Sequence, residues 1–109
     1  MPEPEIVVVV IVNVEPGRAD EVIETFTTVI EATHGEEGCL TYALHRDKNN
    51  ENQLTIVEHW RSQADLDNHF TQPHMAAVGG LGDALTGPPQ IIVCEPIIRG
   101  NPEKNLAAG

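Results

Sequence analysis

Near the start of the chain, Ile6 to Val14 read IVVVVIVNV. β-branched side chains are stiff at χ1 and suit a pleated surface, so this run predicts a strand. Its apolar residues fall at odd and even positions alike. A strand with one wet face alternates, so burial on both faces is expected here. Glu15-Pro16-Gly17 ends the run, and the period changes. Ala19, Val22, Ile23, Phe26, Val29 and Ile30 recur at the spacing of one helical face, which predicts a helix over Arg18 to Thr33. Asp20, Glu21 and Glu24 sit early in it, where the helix dipole favours negative charge, and Gly35 is a stop signal.

Gly38 opens a second strand, expected over Cys39 to Arg46, and a polar turn over Asp47 to Asn52 leads into a third, Gln53 to Arg61. In that third strand Leu54, Ile56, Glu58 and Trp60 share one face, while Thr55, Val57, His59 and Arg61 share the other. Ser62 to Asp65 has the S-x-x-D pattern of a capping box and predicts a short helix to Phe70. Thr71-Gln72-Pro73 breaks it. A second helical stretch, His74 to Leu85, is weakened by Gly79, Gly80 and Gly82. After Gly87-Pro88-Pro89 a fourth strand is expected over Gln90 to Ile98, with Pro96 at an edge or bulge. Gly100 to Gly109 is a polar tail, expected to be mobile or draped on a partner. The order β-α-β-β-α-β is the ferredoxin-like arrangement of the α+β class, a single domain over 1–109 with its core at about 5–98. Two helical segments cover one face of four strands. The two-sided apolar first strand then implies a homodimer whose sheets pack face to face; the alternative is a sheet partly wet on both sides.

Composition narrows the partners. The 109 residues make one domain. Six basic and 17 acidic residues give a net charge of −11, which opposes binding to nucleic acid or to anionic membranes. Met1 to Glu5 is acidic where a signal peptide is basic, and Ile6 to Val12 is too short to span a bilayer, which takes about 20 residues. A cytoplasmic protein is expected. Cys39 and Cys94 lie in apolar stretches as reduced, buried thiols, with no metal-type Cys spacing.

Candidate chemistry centres on five histidines, His34, His45, His59, His69 and His74. Imidazole titrates near neutrality, so the His69/His74 pair across the helix break suits a base and a donor at a pocket mouth. The same spacing suits half of a metal site, for which no Glu, Asp or Cys stands at an obvious offset. A capping His beside a solvated one is the structural alternative. Glu58 is an acid in an apolar strand face and needs a partner or a raised pKa; Arg46, Arg61 and Tyr42 are the candidate partners. Trp60 is either core or the wall of an aromatic pocket, to which Tyr42 would lend a hydroxyl. Asn13 either finishes a turn or holds a ligand oxygen. There is no Gly-rich nucleotide loop after a strand, so any reaction is expected to run without nucleotide or flavin.

Together Glu37-Gly38-Cys39-Leu40-Thr41-Tyr42, Glu58-His59-Trp60-Arg61-Ser62, Leu66, His69 and Pro73-His74 resemble the antibiotic biosynthesis monooxygenase (ABM) family over most of the chain, in the style of its small quinol monooxygenases. The resemblance implies a dimeric α/β barrel and a small aromatic, quinol-like substrate. It implies oxygenation by O2 without flavin, metal or haem, the substrate supplying the electrons. Carried onto this chain, it assigns His69 or His74 as base and Trp60 as pocket wall. Tyr42 and Asn13 become orienting groups, and Glu58 a support. The family's haem-degrading branch has an Asn, a Trp and a His where this chain has Val10, His69 and Gly79, so haem degradation is not expected. A non-oxidative isomerase or small-metabolite enzyme, and a non-catalytic binding dimer, are the alternatives. A cavity of about 300 Å³ or more around Trp60 is expected if the protein binds or turns over a ligand; side chains filling that space would count against both.

Overall fold

β1 (Ile6–Asn13) lies inside a four-stranded antiparallel sheet in the computed structural model, which describes residues 3–107. The other strands are β2 (Cys39–Asp47), β3 (Asn50–Trp60) and β4 (Gln90–Cys94), in the order β2-β3-β1-β4. Helices α1 (Ala19–His34), α2 (Gln63–Phe70) and the one-turn α3 (Ala76–Gly79) complete the ferredoxin-like α+β fold. The sheet is open. It does not close into a barrel within one chain.

Register sorts the two faces. Val8, Val10 and Val12 stand opposite Glu58, Ile56 and Leu54, and Tyr42 stands opposite Glu58 from the far side. These side chains form the inner face and pack with Val22 and Phe26 of α1 and Leu66 of α2. Val7, Val9 and Ile11 point the other way and stay half-buried; among the described residues no helix lies across them, and only the C-terminal tail reaches the face, at Val7. The β4 edge is barer still: Ile91 and Val93 are each 50% exposed. The two-sided apolar pattern is therefore only half satisfied within one chain.

Three local expectations change. The six-residue polar turn is a two-residue connection, because Asp47 pairs with Asn50 and extends both strands. Asx turns at its rim, Asn49 N–H to Asp47 Oδ1 and Asn52 N–H to Asn50 Oδ1, tighten it enough for the ladder to continue. The stretch from His74 to Leu85 is not one helix. It splits into a 3-10 turn at Pro73–Met75, α3, and a second 3-10 turn at Gly82–Ala84, as expected where three glycines remove helix propensity. β4 stops at Cys94 rather than Ile98, two residues before Pro96, which cannot donate to a ladder. The tail folds back on its own sheet: Ile98, Leu106 and Ala107 lie with Val7 and Cys94 around one shallow depression. Among the described residues, no helix is long and apolar enough to cross a membrane.

The α2 cap forms as its sequence pattern requires, with the Ser62 hydroxyl accepting from Asp65 N–H at 3.1 Å. It also explains Gly38. A Cβ there would stand 2.2 Å from Asp65 Cγ, so a side chain at 38 displaces the capping acid. Gly38→Ala is expected to lower stability by about 1–3 kcal/mol, read from the urea midpoint. Gly79→Ala, where an added Cβ meets nothing within 4 Å, should leave stability unchanged or raise it slightly. Equal effects at the two positions would contradict this account.

Candidate active site

The turn leaving α1 is fixed from outside. Arg61 binds Asp65 through two hydrogen bonds, Nε to Oδ2 at 2.8 Å and Nη2 to Oδ1 at 3.1 Å, and reaches Glu37 at 3.3 Å. Its backbone N–H also bonds the Gly38 carbonyl at 2.9 Å. With Glu37 held outward, its neighbour Glu36 is turned inward. One oxygen of Glu36, Oε2, lies 2.7 Å from His69 Nδ1 and 2.9 Å from His74 Nε2. A carboxylate only accepts, so both ring nitrogens donate. The helix break at Thr71-Gln72-Pro73 makes this possible: His69 ends α2, His74 sits in the following 3-10 turn, and the reversal lets both rings converge.

His69 is the centre of the cluster. Its side chain is fully buried, with ring centroids of Trp60, Tyr42 and Phe70 at 4.6, 5.5 and 5.5 Å. Burial pushes its pKa down, against the pull of Glu36. At neutral pH the imidazole is therefore held uncharged, with Nδ1–H toward Glu36 and Nε2 left as the acceptor. Among the described residues Nε2 has no hydrogen-bond partner. A buried carboxylate that orients the base through Nδ1 is the arrangement that frees Nε2 for proton transfer.

His69 lines a small apolar cavity between sheet and helices with Tyr42, Glu58, Phe26, Phe70, Met75 and Ile91. Its volume is ≈ 50 Å³, well short of the roughly 300 Å³ of a small-molecule site. Phe70 and Met75 narrow it, and the half-exposed Ile91 leaves it open at the β4 edge. Glu58 is 3% exposed and accepts from Trp60 Nε1 at 2.8 Å. Burial, which outweighs that hydrogen bond, raises its pKa to about 7, and the charge of Glu36 adds to the rise. Burial likewise pushes the Tyr42 hydroxyl far above its usual value, so it stays protonated. Cys39 is held as a thiol, raised to about 11 by burial.

The fold thus gathers His69, Tyr42 and Glu58 on one cavity. His74 touches Glu36 but does not line that cavity. Trp60 stands behind the cavity rather than walling it, bracing Glu58 and His69. The partner of Glu58 is Trp60, not Arg46, Arg61 or Tyr42. Asn13 is not brought to the group: it is exposed at the far end of β1, and its carbonyl accepts from Thr86 N–H at 2.9 Å. Glu36 is the acid that the sequence offset concealed. The sequence carried no offset that singled it out from its neighbour Glu37. Of the remaining histidines, His59 pairs with Glu5, and His34 Nε2 lies 2.9 Å from the Tyr42 carbonyl oxygen.

The chain matches the antibiotic biosynthesis monooxygenase model over residues 5–79 and belongs to that family. Among solved structures, a conserved protein from Methanosarcina mazei superposes with a TM-score of 0.81 at 28% identity, covering 84% of this chain and 92% of that one. A candidate antibiotic biosynthesis monooxygenase from Caulobacter crescentus gives a TM-score of 0.80 at 28% identity, over 88% and 92% of the two chains. An uncharacterized protein from Synechocystis, sll1783, is 36% identical over 63 residues, 58% of this chain and 43% of its own length. The chain spans about half the length of the curated relatives it matches.

The raised Glu58 carboxyl has a measurable consequence. Between its ordinary value of 4.5 and about 7 the folded state holds a proton that the unfolded chain has released. Stability therefore falls as pH rises through that window and levels off above it. Glu58→Gln is expected to remove about 2–3 kcal/mol of this fall, measured by urea unfolding from about pH 5 to about pH 8. Parallel profiles for wild type and variant would show that Glu58 is not the group responsible.

Proposed function

We propose that this protein is a monooxygenase that spends one O2 on a small electron-rich phenol or quinol, without flavin or haem. The observation that carries the reading is the Glu36–His69 pair, which presents an uncharged imidazole to an apolar cavity also lined by Tyr42 and Glu58. His69 Nε2 removes the phenolic proton. The phenolate passes one electron to O2, and the semiquinone radical and superoxide recombine at a ring carbon. Loss of water from that peroxide leaves a quinone, so phenol and O2 become quinone and water with no outside reductant. The protein supplies a base, a dry wall and a protonated carboxyl or hydroxyl to steady the developing oxyanion. Glu58, with a pKa near neutrality, and Tyr42, which stays protonated, are the groups available for that last role.

The sparsely covered sheet face and the bare β4 edge support a homodimer, in which the second copy completes the open side of the cavity. Within one chain the ≈ 50 Å³ cavity is too small for substrate or ligand alike, so both the monooxygenase reading and a second one, a ligand-binding dimer without turnover, need the partner copy to enlarge it. Oxygen uptake separates the two. With a panel of hydroquinones and catechols, wild type should consume O2 above the uncatalysed rate, and His69→Ala should lower that rate by about 10²- to 10⁴-fold. Turnover that persists without oxygen would point to an isomerase. No uptake and no turnover across the panel would leave only the binding role. Sedimentation at micromolar concentration should give twice the chain mass; a monomer would end the face-to-face packing.

A further inference from the structure

We infer that Glu36, His69 and His74 form a binding site for a divalent transition-metal ion of the zinc class. Glu36 Oε2, His69 Nδ1 and His74 Nε2 come from three separate segments, and these three groups offer ligand atoms lying within 4.8 Å of one another. Two imidazole nitrogens and one carboxylate oxygen are the donor set of open zinc centres and of the facial sites of iron and cobalt. Hard cations such as Mg²⁺ and Ca²⁺ prefer oxygen throughout.

A second observation points the same way. The Glu36 side chain is 10% exposed, and its other oxygen, Oε1, is sealed with no hydrogen-bond partner among the described residues. A buried carboxylate oxygen without a donor is costly, and a cation at this point relieves it. The present N···O separations of 2.7 and 2.9 Å are hydrogen-bond lengths. Tetrahedral ligands at about 2.0–2.1 Å from zinc stand roughly 3.3 Å apart, so loading needs both N···O separations to open by about half an ångström and the two nitrogens to settle at a like distance from each other. His74, 18% exposed, is the side that can give way and admit the ion.

Such an ion replaces the protons on His69 Nδ1 and His74 Nε2. With Nδ1 ligated, the proton of His69 moves to Nε2, which changes from acceptor to donor. The site is thus a brake on the base chemistry proposed above, and the part that rests on that reading is only this last consequence.

Binding is tested with the metal alone. Untagged, chelator-treated protein titrated with Co²⁺ should develop visible d–d absorption saturating at one ion per chain, reversed by Zn²⁺. Glu36→Gln and His74→Ala should each weaken Co²⁺ binding at least tenfold, and His45→Ala, an exposed residue of β2, should not. In wild type, histidine ¹⁵N spectra should show Zn²⁺ moving the Nδ1 signal of one residue and the Nε2 signal of another, with the remaining three rings unchanged. Failure to bind one ion per chain, equal affinity in Glu36→Gln, or unchanged ¹⁵N signals overturns the site. None of these readouts requires turnover, so the site and the monooxygenase reading stand or fall separately.

Discussion

One carboxylate oxygen shared by two imidazoles ties this fold's active region together. Glu36 lies just beyond α1, His69 is in the last turn of α2 and His74 in the 3-10 turn that follows, so the α1 exit meets two neighbouring segments more than 30 residues away at a single atom. Each alone is a poor structural element: a turn, a helix of eight residues and a 3-10 turn. Charge-assisted hydrogen bonds in a buried setting are stronger than neutral ones, and they hold together segments that propensity alone would not. Outside this cluster, Arg61 ties Glu37, the residue after Glu36, to Asp65 at the start of α2.

The same apolar surroundings act on acid and base in opposite senses. Removing water disfavours charge, so Glu58 is pushed up and His69 down. Both groups are thereby brought to uncharged or half-charged states near neutrality, on one wall. The valine-rich β1 supplies part of that wall through Val10, which stands opposite Ile56 in β3. The pattern that builds the sheet therefore also tunes the chemistry.

Much of this was legible along the chain. The periods of two and 3.6 located β1 and α1 to within a residue or two, and Ser62 marked the start of α2. Pairs at a distance were harder. Glu58 stood out as a lone acid among apolar neighbours, but its indole partner two positions along the same strand was hidden by the assumption that an acid seeks a base. Glu36 looked like any surface acid at a helix end, because the groups that hold it inward, His69 and His74, lie far along the chain. Asn13 seemed special as the one amide in an apolar run, yet it marks only where the sheet gives out. Periodicity reports which face a residue occupies. It does not report which loop will arrive opposite.

Trp60 is the only tryptophan in the chain, and it is buried with its indole N–H bonded to Glu58 and its ring against His69. The molecule therefore carries its own optical reporter. Ionisation of the carboxyl or imidazole changes the field on the indole directly, and so does any ion or ligand that displaces them. Emission from this one ring has no competing source of its kind elsewhere in the sequence, so events at the site can be followed in the unmodified protein, without a label.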